Sequence, residues 1–217
     1  MNHKNRISRI IAMVMALVLC AGFMFALPVQ AHAATTEGHY TDVYPWENQM
    51  SDEYGDTPYM GKTLRARGCG ITSVSIILQG LLGDETLTPE YLATTYGDLD
   101  NKHPDVDYGS LKTVALSVLD IYGVKTTLTH DFWDVWVALA YGKPVLSLEN
   151  PGLFTGTPNG HFIAFVGLSD DARVIVRDPN GNRWPAYEEY FEDGFYYSWL
   201  CNSGSGYWIC ELEDTTE

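Results

Sequence analysis

The chain has 217 residues, with 13 Lys+Arg against 28 Asp+Glu, a formal charge of −15, 46% hydrophobic and 13% aromatic residues, and four Cys. The aromatic share argues against a disordered chain, and Gly and Pro are not in the excess that collagen-like sequence requires. So large an acid excess argues against nucleic-acid binding, which needs a basic face to replace counterions on phosphate, and leaves one acidic globular unit able to build its own core.

In chain order, Lys4, Arg6 and Arg9 precede an uncharged apolar run from Ile10 to Leu27, which Pro28 breaks before Ala31-His32-Ala33. A basic start, an apolar middle and an A-x-A exit read as a secretory signal peptide over residues 1–33. The run is also long enough to span a bilayer as an uncleaved anchor. The A-x-A site and the lack of a later apolar run favour cleavage, hence a secreted protein without stable membrane association. Removing residues 1–33 takes away three basic and no acidic residues, so the remaining single domain, residues 34–217, carries 10 basic and 28 acidic residues, a charge of −18. That charge permits a cationic substrate or partner.

Cys69, Cys201 and Cys210 remain after that cut, an odd number for an oxidising compartment. Cys201 and Cys210 flank the Gly204/Gly206 turn region and are candidates for a local disulfide, which would leave Cys69 as the free thiol. Their spacing is not that of a zinc site, and neither metal nor organic cofactor is expected.

Residues 34–60 read as an extended, aromatic-dotted lead-in. The spacing of apolar residues predicts a helix over Thr72–Leu82, closed by Gly83, and Thr88-Pro89-Glu90 opens a second. Ser110–Tyr122 predicts a third, stopped by Gly123, and Asp131 caps a fourth through Tyr141. Beyond it the period shortens. Pro144–Leu148, His161–Leu168, Val174–Arg177 and Tyr207–Leu212 read as strands, with a hairpin turn at Asp170-Asp171 and a short helix over Ala186–Phe191. Helices followed by strands predict an α+β fold.

Cys69 lies in Gly68-Cys69-Gly70-Ile71-Thr72-Ser73, just before the first predicted helix. Unpaired N–H groups and the positive end of the helix dipole favour a thiolate there, and bare N–H groups beside glycines can hold an oxyanion. Such a nucleophile needs a base and a group to orient it. His161 heads the apolar strand Gly160-His161-Phe162-Ile163-Ala164-Phe165-Val166, whereas His39, His103 and His130 lie in polar, loop-like surroundings. A hairpin turning near 170–171 brings Asp178, at the end of the next strand, beside His161. Asp178-Pro179-Asn180-Gly181 also has the composition of a simple turn.

These motifs in this order, Gly-Cys-Gly-Ile-Thr-Ser, then Gly-His-Phe, then Asp-Pro-Asn-Gly, resemble the secreted peptidase C39-like proteins, which are papain-like cysteine peptidases in fold. The resemblance spans about residues 44–200, with Ile71 standing where the family usually has Pro. It implies a helical N-terminal part, with the nucleophile helix packed on a C-terminal antiparallel sheet. It also implies Cys69 as nucleophile, His161 as general base and acid, Asp178 as its orienting partner and Gln49 as oxyanion donor. Gln79, inside the helix after the nucleophile, is a poor substitute for Gln49. The implied activity is cleavage of a peptide or amide bond in a peptide or protein substrate. Amide transfer, or cleavage of a cell-wall cross-link, is the first alternative. The second is a binding module with a retired site, whose recognition surface would be the aromatic-rich lead-in and the tail residues Tyr196, Tyr197, Trp199, Tyr207 and Trp208.

Overall fold

In the computed structural model, which describes residues 43–97, 110–152, 154–156, 158, 160–169, 174–181, 188–190 and 205–213, a two-stranded hairpin comes first, β1 (Pro58–Tyr59) and β2 (Lys62–Thr63). A single helical turn, α1 (Leu64–Arg67), leads through Gly68 into α2 (Cys69–Leu82). Helices α3 (Pro89–Tyr96) and α4 (Ser110–Ile121) follow, then β3 (Val124–Thr129) and α5 (Phe132–Ala140). The remaining strands are β4 (Val145–Glu149), β5 (His161–Leu168), β6 (Val174–Arg177), β7 (Glu188–Tyr190) and β8 (Tyr207–Leu212).

Helix α2 begins three residues earlier than its apolar spacing predicts, because the turn before it is already helical. The Gly68 N–H donates to Leu64 O at 2.5 Å, and the Thr72 N–H to Gly68 O at 2.8 Å. Gly68 permits this tight turn, since a Cβ there would lie 2.5 Å from Leu64 O. Every residue from Gly70 to Gln79 is buried, so α2 is a central helix rather than an amphipathic cover. Gly83, at φ 66°, ends it by donating to Gln79 O. The expected caps form: Thr88 accepts from the Tyr91 N–H ahead of Pro89, and Asp131 accepts from the Trp133 N–H.

Six strands form one antiparallel sheet in the order β3-β8-β4-β5-β6-β7. One face buries Leu146, Phe162, Ala164, Val166 and Cys210 in a core with α2, α3 and α4. The other buries Val145, Ile163, Phe165, Val174 and Tyr207 with α5 and Phe154. Cover on both faces explains why His161–Val166 reads as an unbroken apolar run instead of an alternating one. The β5–β6 ladder carries a bulge between Phe165 and Gly167, below which Ala164 faces Arg177. The arrangement is α+β with the helix that begins at Cys69 against the sheet, as the sequence led us to expect.

Three elements differ from expectation. Strand β3 escapes sequence reading because it is an edge strand, polar and largely exposed at Lys125, Thr127 and Leu128. Residues 188–190, expected to be helical, form β7 along β6, in register from Val174↔Tyr190 to Val176↔Glu188. The buried strand β6 has a second edge of N–H and C=O groups that needs a partner, and this overrides the weak local helix preference of Glu-Glu-Tyr. The Cys201–Cys210 disulfide is not formed. Cys210 is a free thiol with no exposed surface, enclosed in the helix-side core on β8 between β3 and β4. Cys201 lies outside the described residues, as does the expected Asp170-Asp171 turn.

Residues before β1 are not merely an extended lead-in. Tyr44 and Tyr54 are buried at 5% and 8% exposure, and the Tyr44 ring lies on Gly80 of α2, where a Cβ would meet it at 2.0 Å. Replacing a mid-helix glycine by alanine ordinarily gains about 1 kcal/mol, whereas overpacking costs about 1–3 kcal/mol. Gly80→Ala should therefore lower the urea midpoint; a raised midpoint would show that Tyr44 moves aside without cost.

Candidate active site

Cys69 is the first residue of α2 and is half-buried, with its thiol at the beginning of β5. The elements that meet there are the start of one long helix and the start of one long strand. Burial raises the thiol's pKa and is the largest single influence on it. The hydrogen bond and charge of His161, with the Phe162 and Gly70 N–H groups, more than offset that, so the thiol lies below its ordinary value. The first-turn N–H of Gly70 is the local electropositive feature that the sequence position implied.

His161 is buried, at 8% exposure, and its Nε2 lies 2.6 Å from Asp178 Oδ1. With Nε2 held by the carboxylate, Nδ1 is the ring nitrogen left for the Cys69 thiol, to which His161 is hydrogen-bonded. Burial alone would lower the imidazole's pKa. The hydrogen bond to Asp178, then the hydrogen bond and charge of Cys69, raise it to about 10. A thiol pushed down and an imidazole pushed up together describe a thiolate–imidazolium pair. Cys210 is the internal contrast. It is fully enclosed, has no cationic partner among the described residues, and burial pushes its thiol up to about 12.

Asp178 is 5% exposed and follows directly on β6. Its Oδ1 also accepts from the Asn180 N–H at 2.8 Å, so the turn composition of Asp178-Pro179-Asn180-Gly181 and the orienting carboxylate are one device. Gln49 is buried beside it. The Gln49 N–H donates to Pro179 O at 2.8 Å, while Nε2 donates to Leu64 O at 3.4 Å and Arg65 O at 3.2 Å, in the turn preceding Cys69. The structure thus gathers Cys69, His161, Asp178 and Gln49, with the Gln49 amide engaged on two long hydrogen bonds to backbone carbonyls. Gln79 lies apart from them on α2, its Nε2 held by Glu47 Oε1 and Ser75 Oγ at 2.9 Å each.

Sequence reading overlooked Trp46 and Glu47. Glu47 Oε2 accepts from the Tyr54 hydroxyl at 2.7 Å, and burial followed by this carboxylate pushes the phenol well above its usual range. Aromatic and acidic residues in a turn-rich segment give no local signal of that role. Of the aromatics proposed as a recognition surface, Tyr207 and Trp208 are buried, at 1% and 5% exposure, and serve the core; Tyr196, Tyr197 and Trp199 lie outside the described residues.

A family model described as the Peptidase_C39 like family matches residues 41–207, which include all four gathered residues. No curated protein matches the chain. A helix carrying the thiol at its N-terminus, packed on an antiparallel sheet that carries the histidine, is the papain-like arrangement.

An ordinary thiol is well under about 1% thiolate at pH 6, so the pairing has a direct chemical readout. Iodoacetamide should alkylate Cys69 in the folded protein at pH 6 about tenfold faster than in His161→Ala, leaving Cys210 unmodified. Equal rates in the two proteins, measured by peptide mass mapping, would mean that no ion pair forms.

Proposed function

The chain belongs to the Peptidase_C39 like family, a peptidase or amidase type of domain, and we propose that it hydrolyses a peptide or amide bond through an acyl-enzyme on Cys69. The observation that carries this reading is the opposed displacement of two neighbouring groups, Cys69 down and His161 up, with Asp178 on the far ring nitrogen.

In the proposed cycle the Cys69 thiolate attacks the carbonyl carbon and the carbonyl electron pair moves onto oxygen. The oxyanion accepts from the Cys69 backbone N–H and from Gln49 Nε2, one of whose long bonds to the α1 carbonyls gives way. His161 delivers its Nδ1 proton to the leaving nitrogen as the C–N bond breaks, leaving a thioester and a neutral imidazole. Water then attacks the thioester while Nδ1 takes its proton, and the thiolate departs to restore the ion pair. Asp178 fixes the tautomer by holding Nε2–H.

The sequence of residues 1–33 supports export by a cleaved signal peptide, with the work done outside the cell. The surplus of 28 acidic over 10 basic residues beyond that segment supports a cationic substrate, and turnover of such a substrate should fall as salt rises.

The pH dependence follows from the two displacements. Because the imidazole is raised, the imidazolium persists through neutral pH and is lost as pH rises through about 10. Because the thiol is lowered, the thiolate persists as pH falls below the ordinary thiol range. The kcat/KM profile on a peptide library should therefore plateau across neutral and mildly alkaline pH. Cys69→Ala should abolish turnover, and Asp178→Ala should cost about 10²-fold or more while drawing the alkaline limb downward. Full activity in Cys69→Ala would sink the reading. Transfer to an added amine in place of hydrolysis would redirect it to the amide-transfer alternative.

A further inference from the structure

The Asp178 carboxylate is anchored unevenly. Oδ1 accepts from both His161 Nε2 and the Asn180 N–H, whereas Oδ2 is buried and accepts no hydrogen bond among the described residues. A carboxylate held through one oxygen is oriented by the backbone that bears it, so the angle at which it meets His161 depends on what fixes the turn over residues 178–181.

That turn is fixed from outside by a segment more than 130 positions away in sequence. The Trp46 indole N–H donates to the Asp178 backbone carbonyl at 3.3 Å. The Trp46 ring lies against Gly181, where a Cβ would meet Cζ2 at 2.1 Å and Cη2 at 2.9 Å. Asn48 Nδ2 would stand 3.1 Å from the same Cβ, and the Gln49 N–H donates to Pro179 O at 2.8 Å. The segment is itself held to α2, since Glu47 takes hydrogen bonds from Gln79 and Tyr54, and the Asn48 N–H donates to the Tyr54 hydroxyl oxygen at 2.8 Å. Trp46 is 38% exposed, with one side to solvent and the other on the turn.

We propose that Trp46 is a positioning residue for the Asp178–His161 pair: its indole clamps the 178–181 turn and keeps water from the hydrogen bond that sustains the imidazolium. The ring sets the carboxylate by two means, a hydrogen bond to the carbonyl of the same residue and contact with a glycine that leaves no room for a side chain. Excluding water strengthens a charge-assisted hydrogen bond, because the local dielectric falls and competing donors are removed. The indole touches no reacting atom; it acts through Asp178. This inference rests on the proposed Cys-His-Asp chemistry, and its readouts are those of the pair rather than of turnover.

Trp46→Leu removes both the N–H and the ring, Trp46→Phe keeps an apolar ring without the N–H, and Gly181→Ala displaces the ring from the opposite side. Each is followed by the pH profile of Cys69 alkylation and by the proton resonance of His161 Nε2–H, alongside the thermal midpoint. In Trp46→Leu and Gly181→Ala, the loss of the imidazolium, and with it the alkaline inflection of the alkylation profile, should move to lower pH by about one unit, while alkylation at pH 6 stays nearly unchanged. Trp46→Phe should move both in the same direction by less. Folded Trp46→Leu and Gly181→Ala proteins with an unmoved profile and an unmoved resonance would overturn the proposal. Should Trp46→Leu fail to fold, Trp46→Phe and Gly181→Ala decide by the same two readouts. If the wild type hydrolyses no peptide while these variants still shift its alkylation profile, the proposed reaction fails and the positioning role stands.

Discussion

The hydrogen bond from His161 Nε2 to Asp178 Oδ1 links the first residue of β5 to the residue that follows β6, its neighbour in the sheet. Leu168 faces Val174 and Gly167 faces Ile175, but past a bulge Phe165 faces Val176 and Ala164 faces Arg177. The extra residue on β5 shifts the register by one position, which sets how far the end of β6 reaches toward the start of β5. The ladder ends at that last pair, and the Asp178 carboxylate, just past it, meets the imidazole.

In the proposed ion pair, holding a thiolate and an imidazolium in a mostly enclosed site would cost stability, repaid only where other groups complete their hydrogen bonding. Here Asp178 satisfies one end of the imidazolium, and the Phe162 and Gly70 N–H groups the other side of the thiolate. The rest of the cost falls on the scaffold. Helix α2, from Ile71 through Leu78, buries five large aliphatic side chains with no exposed surface, each contributing about 1.5–3 kcal/mol. Cys69 sits at the start of the most deeply buried helix among the described residues, so the surplus from packing lies next to that cost. Cys210, in that same core without charged partners among the described residues, has its thiol pushed up by burial, the direction burial also acts on Cys69 before His161 offsets it.

Much of this was legible in the sequence, for reasons that can be named. The β5 and β6 spans could be read because both faces of these strands are covered, so their residues are apolar throughout. Cys69 stood out because glycines flank it at a helix start, and the hairpin logic brought Asp178 to the level of His161. What sequence could not supply was the β5–β6 register, since the bulge at Phe165–Gly167 has no breaker residue of its own beyond a single glycine. Nor could it supply β7, where a partner's demand for hydrogen bonds outweighs local preference. Gln49 came only through family resemblance, and no local pattern discloses that its amide rests on the carbonyls of Leu64 and Arg65. The aromatic lead-in looked like a loose approach to the domain because its contacts lie at the far end of the chain.

Those contacts explain why the lead-in is aromatic. His161 and Asp178 are 17 positions apart and are joined by a short hairpin, whereas Trp46 meets Asp178 across 132 positions and Tyr44 O meets Arg177 Nε across 133. Loop-closure entropy grows by about 0.6 kcal/mol for each doubling, so about three doublings make the longer closure about 2 kcal/mol more expensive. Burial of Tyr44 and Tyr54 contributes about 1.5–3 kcal/mol each, which is enough to hold the segment down with a margin of a few kcal/mol. A polar segment of equal length would not stay docked, and the 178–181 turn would lose its outer wall. The tyrosines of residues 44–59 are thus the anchors that allow Trp46 and Gln49, neither of which could dock alone, to meet a turn and a helix start contributed by distant parts of the chain.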